Sequence, residues 1–305
     1  MFWSLLFLSA PGGVTLAQPA KAPAAAQEGA IPPRGALFRI GQGGHTLYLF
    51  GTIHVGAPDF YPLEPRLSAA LEHASTLALE IDPEGDPVQM ASAVRAHGMY
   101  AEGGTAAAHI RPEFRPRLLA LLKQYGIAPE AVAPMKPWLL ASVLSISEFG
   151  VSGYQSSLAV DTYLAKQAHQ RGIPVLELES AAGQMAMFDR MTGDEQARFL
   201  EESIAAIEDK EEAAQAKAIA HAWRTADRAG LEKLAQQAAD DTSFSGRFLQ
   251  KVLLEERNPG LADGIARLLA RQDHAVAAIG VLHLVGSGSV PQLLRERGLK
   301  VERIY

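Results

Sequence analysis

The chain contains no cysteine, which excludes disulfides, thiolate metal sites, iron–sulfur clusters and cysteine nucleophiles together. Any metal must therefore be held by imidazole and oxygen ligands, a set that suits zinc, manganese, iron or cobalt. Basic residues are outnumbered, 28 against 34 acidic ones, for a net charge of −6. There is no Lys/Arg stripe, zinc-finger spacing or RNA-binding aromatic pattern, so nothing points to nucleic acid or an anionic membrane as a partner. Past the N-terminus no apolar run reaches the roughly 18 residues of a transmembrane helix. Several catalytic signatures are missing as well. There is no His-Glu-x-x-His pair, no Gly-x-Ser-x-Gly elbow, no phosphate loop and no Gly-x-Gly-x-x-Gly opening a helix after a strand. Common hydrolase, nucleotide and dinucleotide-cofactor readings lose ground accordingly.

What is present is a chain of 305 residues, 48% hydrophobic and 20% charged. That suffices for a full core, as one large domain or two halves sharing a sheet. Phe2 to Ala10 is a short apolar run, and Thr15-Leu16-Ala17 is a small-residue cleavage site. Together they read as a secretory signal over residues 1–17, although no Lys or Arg precedes the run. The expected protein is exported, to the periplasm or beyond. Residues 18–34 are rich in Ala and Pro and read as a tether, which leaves residues 35–305 for the folded domain.

Periodicity then outlines an α/β layer structure. Leu37–Ile40 and His45–Phe50 around Gly41–Gly44 read as a hairpin, Glu64–His73 as a helix and Thr76–Asp82 as a strand. Pro112–Tyr125, Lys136–Phe149 and Leu158–Arg171 read as helices, and Ile173–Leu178 as the next strand. Residues 181–272 are almost continuously helical in pattern, with segments at 182–191, 194–222, 227–238, 242–255 and 258–271. The charged run Glu208–Glu212 reads as the solvated face of one of them. Asp273–Ile279, a helix over Val290–Arg297 and Leu299–Ile304 complete about six strands.

One phrase occurs twice. Leu49-Phe50-Gly51-Thr52-Ile53-His54-Val55-Gly56 lies near the start, and Ala278-Ile279-Gly280-Val281-Leu282-His283-Leu284-Val285-Gly286 near the end. Each is an apolar strand, then Gly-x-x-His, then another glycine. A lone histidine at a strand end is ordinarily a hydrogen-bonded structural residue. Recurrence in one local frame shifts the balance, because the ends of parallel strands share a crevice where such folds place ligands. Glu80 follows the apolar Leu77-Ala78-Leu79, where a carboxylate is costly to bury unless paired or metal-bound. It could equally sit beyond the buried strand beside Asp82 and Glu84. Glu179 has the same placement and the same ambiguity. Asp161 could act only on its helix dipole, and Asn258, before Pro259, only as an N-cap. The remaining histidines, among polar neighbours, read as solvent-facing.

These residues together resemble the TraB/GumN family, which includes the TIKI membrane-associated metalloproteases that cleave Wnt. The resemblance runs from about Gly35 to Tyr305. It takes in both Gly-x-x-His motifs, Leu79-Glu80-Ile81-Asp82, Lys136-Pro137-Trp138-Leu139, Val160-Asp161, Leu178-Glu179-Ser180 with Gln184, and Glu256-Arg257-Asn258. Ser180 stands where threonine is commoner, and Ala159 where glycine is commoner; neither change removes a candidate ligand. The resemblance implies an α/β fold with a mixed central sheet flanked by many helices, related to the ChaN and erythromycin-esterase group. It also implies a site in which His54, Glu80 and His283 hold a divalent manganese, cobalt or zinc ion. On that reading Glu179 accepts a proton from water, Arg257 faces the developing oxyanion, and Asp161 and Asn258 contact substrate. The expected activity is metal-dependent cleavage of a peptide or protein. Two alternatives stay open: a non-catalytic peptide- or haem-binding protein, and a metal-independent esterase-type hydrolase with His54 as general base.

Overall fold

The computed structural model describes residues 31–101 and 103–305. The expected signal over 1–17, and the expected tether up to residue 30, lie outside the described residues. Arg34, at the end of the tether segment, is buried, and the Gly35 amide donates to the Trp223 carbonyl at 2.6 Å.

Six strands form one mixed sheet: β1 Leu37–Gln42, β2 His45–Thr52, β3 Leu77–Leu79, β4 Val175–Glu177, β5 Ala275–Gly280 and β6 Lys300–Arg303, in the order β4-β3-β5-β2-β1-β6. The expected α/β class and strand count agree with this. β4, β3, β5 and β2 run parallel, whereas β1 pairs antiparallel with β2 and β6 with β1. β5 is buried along its whole length, which is why its sequence is an unbroken apolar run rather than an alternating one.

Register matters most for function. Gly51 faces Ile279 and Thr52 faces Gly280 across the β2–β5 pair. The two motifs, far apart in sequence, therefore leave the sheet side by side, offset by one position. Leu79 of β3 pairs with Ala278 of β5 and with Glu177 of β4. Glu80 and Glu179 follow at once, and the Glu179 amide donates to the Glu80 carbonyl at 2.9 Å. Four consecutive parallel strands thus deliver His54, His283, Glu80 and Glu179 from their carboxyl ends.

Two apolar clusters support this sheet. One joins the sheet to the helices Pro65–Glu72, Val160–Arg171, Glu211–Arg224, Asn258–Arg271 and Val290–Glu296. The other is built from helices and their caps and centres on Trp138, stacked on Phe188 at 4.3 Å, with Phe199 and Phe248 around them. Among the described residues no helix is long and apolar enough to cross a membrane.

The helical pattern over 194–222 is not one helix. It breaks into Gly193–Glu208 and Glu211–Arg224, with Lys210 in the left-handed region at φ 64°. Glu212, expected on a solvated face, is fully buried. Local charge density gave no sign of this, because the burial arises only when the chain reverses.

Candidate active site

The first motif histidine is fixed from behind. Asp161 lies in the first turn of the Val160–Arg171 helix, and that helix is docked on the motif by the Val160 amide donating to the Ile53 carbonyl at 3.0 Å. The Asp161 carboxylate is buried and lies 2.6 Å from His54 Nδ1. It therefore accepts the Nδ1 proton, leaving Nε2 to face the site. Burial alone would lower the His54 pKa, but the Asp161 carboxylate, assisted by Glu80, overcomes it and raises the ring to about 9.

His283 has the opposite electrostatics. Its Nδ1 lies 2.6 Å from Asn258 Oδ1, and Asn258 Nδ2 donates to the Gly288 carbonyl at 2.9 Å. The Gly288 contact fixes the amide orientation, so the oxygen must face the ring and His283 must carry its proton on Nδ1. Nε2 is then an acceptor. It is buried with no hydrogen-bond partner among the described residues, 4.0 Å from Glu80 Oε1. Burial, reinforced by the Arg257 charge, lowers this ring to about 3, so it is neutral at any physiological pH.

Glu80 sits between the two. Its Oε1 accepts the Gly280 amide at 2.6 Å, and its Oε2 accepts Arg257 Nη2 and, at 3.3 Å, Gln184 Nε2. Burial would raise its pKa, yet Arg257 foremost, with the Gly280 N–H, holds the carboxyl well below the usual range. Gly280 is the point where the groups converge. A Cβ there would stand 3.3 Å from both Glu80 Oε1 and His54 Nε2, and 3.6 Å from His283 Cδ2. A side chain would intrude among them, which gives the motif glycine a steric reason. The cavity at this meeting point, between His54 and His283, is about 10 Å³, on the order of one water position.

Arg257 is buried and fully engaged. It donates through Nε and Nη2 to Glu179, at 3.0 and 2.6 Å, through Nη2 to Glu80, and through Nη1 to the Leu253 carbonyl at 2.9 Å. Burial would lower its pKa, but the two carboxylates raise it further. Gln184 closes the network by also donating to Glu179 at 2.7 Å.

The structure thus brings all seven candidate residues into one connected cluster. Asp161 holds His54 rather than serving only a helix dipole. Asn258 is not the N-cap, a place taken by Arg257; its side chain orients His283. Gln184 had no assigned role, and its position after Ser180 gives no period that would single it out. The other histidines largely face solvent as expected: His73, His109, His169, His221 and His274 are exposed, and only His45 and His97 are half-buried. Two of them nonetheless have carboxylate partners from distant segments, His97 Nδ1 at 2.5 Å from Asp189 and His169 Nε2 at 2.7 Å from Asp82.

A sequence-family model described as the TraB/PrgY/gumN family matches residues 36–303. The uncharacterized protein YbaP of Escherichia coli K12 is 26% identical over 261 residues, covering 83% of this chain and 89% of that relative. The YbaP of Shigella flexneri is 26% identical over 256 residues, covering 81% and 87%. No solved structure matches the chain significantly. The family match spans the whole sheet, both Gly-x-x-His motifs and every residue of the cluster, so the chain belongs to the TraB/PrgY/gumN family.

Proposed function

We propose that this chain is a divalent-metal-dependent hydrolase that cleaves a peptide or protein outside the cytoplasm. The observation that carries the reading is the pair of histidines with Nδ1 tied to an oxygen, at Asp161 and at Asn258, and with the buried His283 Nε2 left without a hydrogen bond. Metal-ligating histidines are held in this way, with the second nitrogen fixing tautomer and ring orientation. Among the described residues no three His, Asp or Glu side chains form a ready-made cage. Support for a metal thus comes from the way the two rings are held, not from a preformed cage.

His54 and His283 through Nε2, and Glu80 through Oε1, would hold the ion, and manganese, cobalt or zinc would each accept this set. Such an ion supplies Lewis acidity, acidifying water and polarising a carbonyl. The protein's own groups do the rest. Asp161 and Asn258 aim the rings. The Gly280 N–H and Arg257 keep Glu80 ionised and in place. Glu179, the more exposed carboxylate of the pair bound by Arg257, takes the proton that water gives up. Arg257, bound to both glutamates, acts as a positioning residue more than as an oxyanion donor. Purified protein supplied with manganese, cobalt or zinc should cleave unstructured peptides, and both chelation and His54→Ala should abolish the cleavage. Turnover unaffected by either treatment would overturn the assignment.

A second reading is favoured by the His54–Asp161 contact itself, which is how an aspartate orients a histidine general base in acyl-transfer sites. In it, His54 activates water directly once Nε2 has lost its proton, so this activity should rise as pH approaches about 9. Activity that persists in chelator but disappears in His54→Ala would assign this mechanism instead.

A further inference from the structure

A second cavity, of about 240 Å³, opens beside the site and is not used by the chemistry above. Its apolar wall is Ile219, Leu234, Leu249, Leu254 and Leu282. Ile219 and Leu282 also line the small space between the motif histidines. Leu282 is the residue immediately before His283 and is only half-buried. The cavity therefore adjoins the space between the motif histidines, separated from it by Ile219 and Leu282.

Size and polarity define the occupant. An apolar cavity of about 150 Å³ can take benzene, so the volume here accommodates a phenyl- or leucyl-sized group. Gln215 and Gln237 lie on its helical walls, and amides of this kind can pair with peptide N–H and C=O groups. Asp241 is the one charged residue among those lining it, which works against an acidic side chain. Glutamines around an apolar floor, next to a hydrolytic centre, match the chemistry of a peptide segment with one large apolar side chain.

We propose that this cavity is the specificity pocket of the enzyme, seating a large apolar side chain of a peptide substrate so that the neighbouring main chain lies at His54 and His283. The proposal rests on the hydrolase reading for its catalytic consequence, but the pocket itself can be tested apart from catalysis. Ala238 lines the cavity from the Arg228–Ala239 helix, away from the catalytic network. Ala238→Trp fills the space, and Leu254→Ala enlarges it.

The experiment uses the full protein, its fold checked by thermal melting, and peptides differing at one position among Phe, Leu, Ala, Lys and Glu. Wild type should prefer Phe or Leu over Ala by about tenfold or more. Ala238→Trp should remove that preference while peptides carrying Ala are still cleaved, and Leu254→Ala should move it toward Phe over Leu. In parallel, N-acetylphenylalaninamide should bind wild type and His54→Ala equally and should fail to bind Ala238→Trp. Cleavage without side-chain preference, or a preference unchanged in both variants, overturns the pocket and leaves the hydrolase reading standing. Binding that is lost in Ala238→Trp, with no peptide cleaved by any form, supports the pocket and removes the hydrolase. Unaltered binding in Ala238→Trp also overturns the pocket.

Discussion

His54 and His283 occupy the same place in two copies of one short phrase, yet they are electrostatic opposites. His54 backs onto a buried carboxylate and is raised to about 9. His283 backs onto a neutral amide, lies nearer the influence of Arg257, and is lowered to about 3. The Gly-x-x-His frame sets where each ring stands at the end of its strand. The carboxylate of Asp161 raises the one ring against its burial, whereas the other, with only the neutral Asn258 amide behind it, is left to burial and the Arg257 charge. The trailing glycine of the first motif follows the same logic of local surroundings: a Cβ on Gly56 would stand 1.7 Å from the Leu158 carbonyl oxygen, where the chain turns into the helix bearing Asp161. A repeated motif is thus reused with different supports, so that one ring favours the doubly protonated cation and the other the neutral form with its proton on Nδ1.

The comparison can be broken outright by deleting its members. Replacing either histidine by alanine should lower peptide cleavage by about 10²-fold or more, and the double variant should lose bound metal in elemental analysis. Metal content equal to wild type in the double variant would end the shared-site reading. Next in size is Glu80→Gln, which removes the carboxylate between the rings and leaves buried Arg257 with Glu179 alone. A loss of about 3 kcal/mol in urea unfolding is expected from breaking one half of a buried ion pair.

Exchanging the supports sharpens the contrast instead of destroying it. Asp161→Asn should bring the His54 ring down from about 9 and weaken metal binding by about 10–100-fold. Asn258→Asp should lift His283 from about 3. Titration of the two imidazole C–H signals by NMR in metal-free protein reads both shifts, and rings that do not move would refute the role given to these partners.

The smallest effect is in the pH dependence of stability in chelator. His54, raised above its unfolded value of 6.5, adds stability that is full below 6.5 and lost as pH rises toward about 9. His283, lowered, refuses a proton that the unfolded chain accepts, so its contribution is full above 6.5 and lost as pH falls toward about 3. These two groups alone place the optimum near 6.5. Asp161→Asn should flatten the upper limb, and Asn258→Asp should shorten the lower one. Denaturation midpoints measured across that range, with limbs unchanged in both variants, would contradict the assignment.

Much of the framework was legible beforehand. Most of the six strands were readable as short apolar runs bounded by turn residues, although β6 is Lys-Val-Glu-Arg, and the α/β class follows from their alternation with amphipathic helices. The central residues His54, Glu80 and His283 were readable because a motif recurred and a carboxylate followed an apolar strand. The work of Asp161, Asn258 and Gln184 was not readable, because each acts across a long stretch of chain on a group its own neighbours do not reveal. The break at Asp209–Lys210 and the burial of Glu212 escaped for a related reason. Charge spacing on a helix reports its exposed face only when nothing packs against that face.

The sequence by itself determined the elements, the apolar strands and the positions of the chemically capable side chains, since these depend on local periodicity and residue type. Only the tertiary structure decided that Thr52 would stand opposite Gly280 and Leu79 opposite Ala278. That pairing brings two imidazoles and two carboxylates together at the carboxyl ends of the four parallel strands of a mixed sheet. It also decided which ring is charged, because a pKa is set by burial and by charges a few ångströms away, and those neighbours come from chain segments that meet only in the fold.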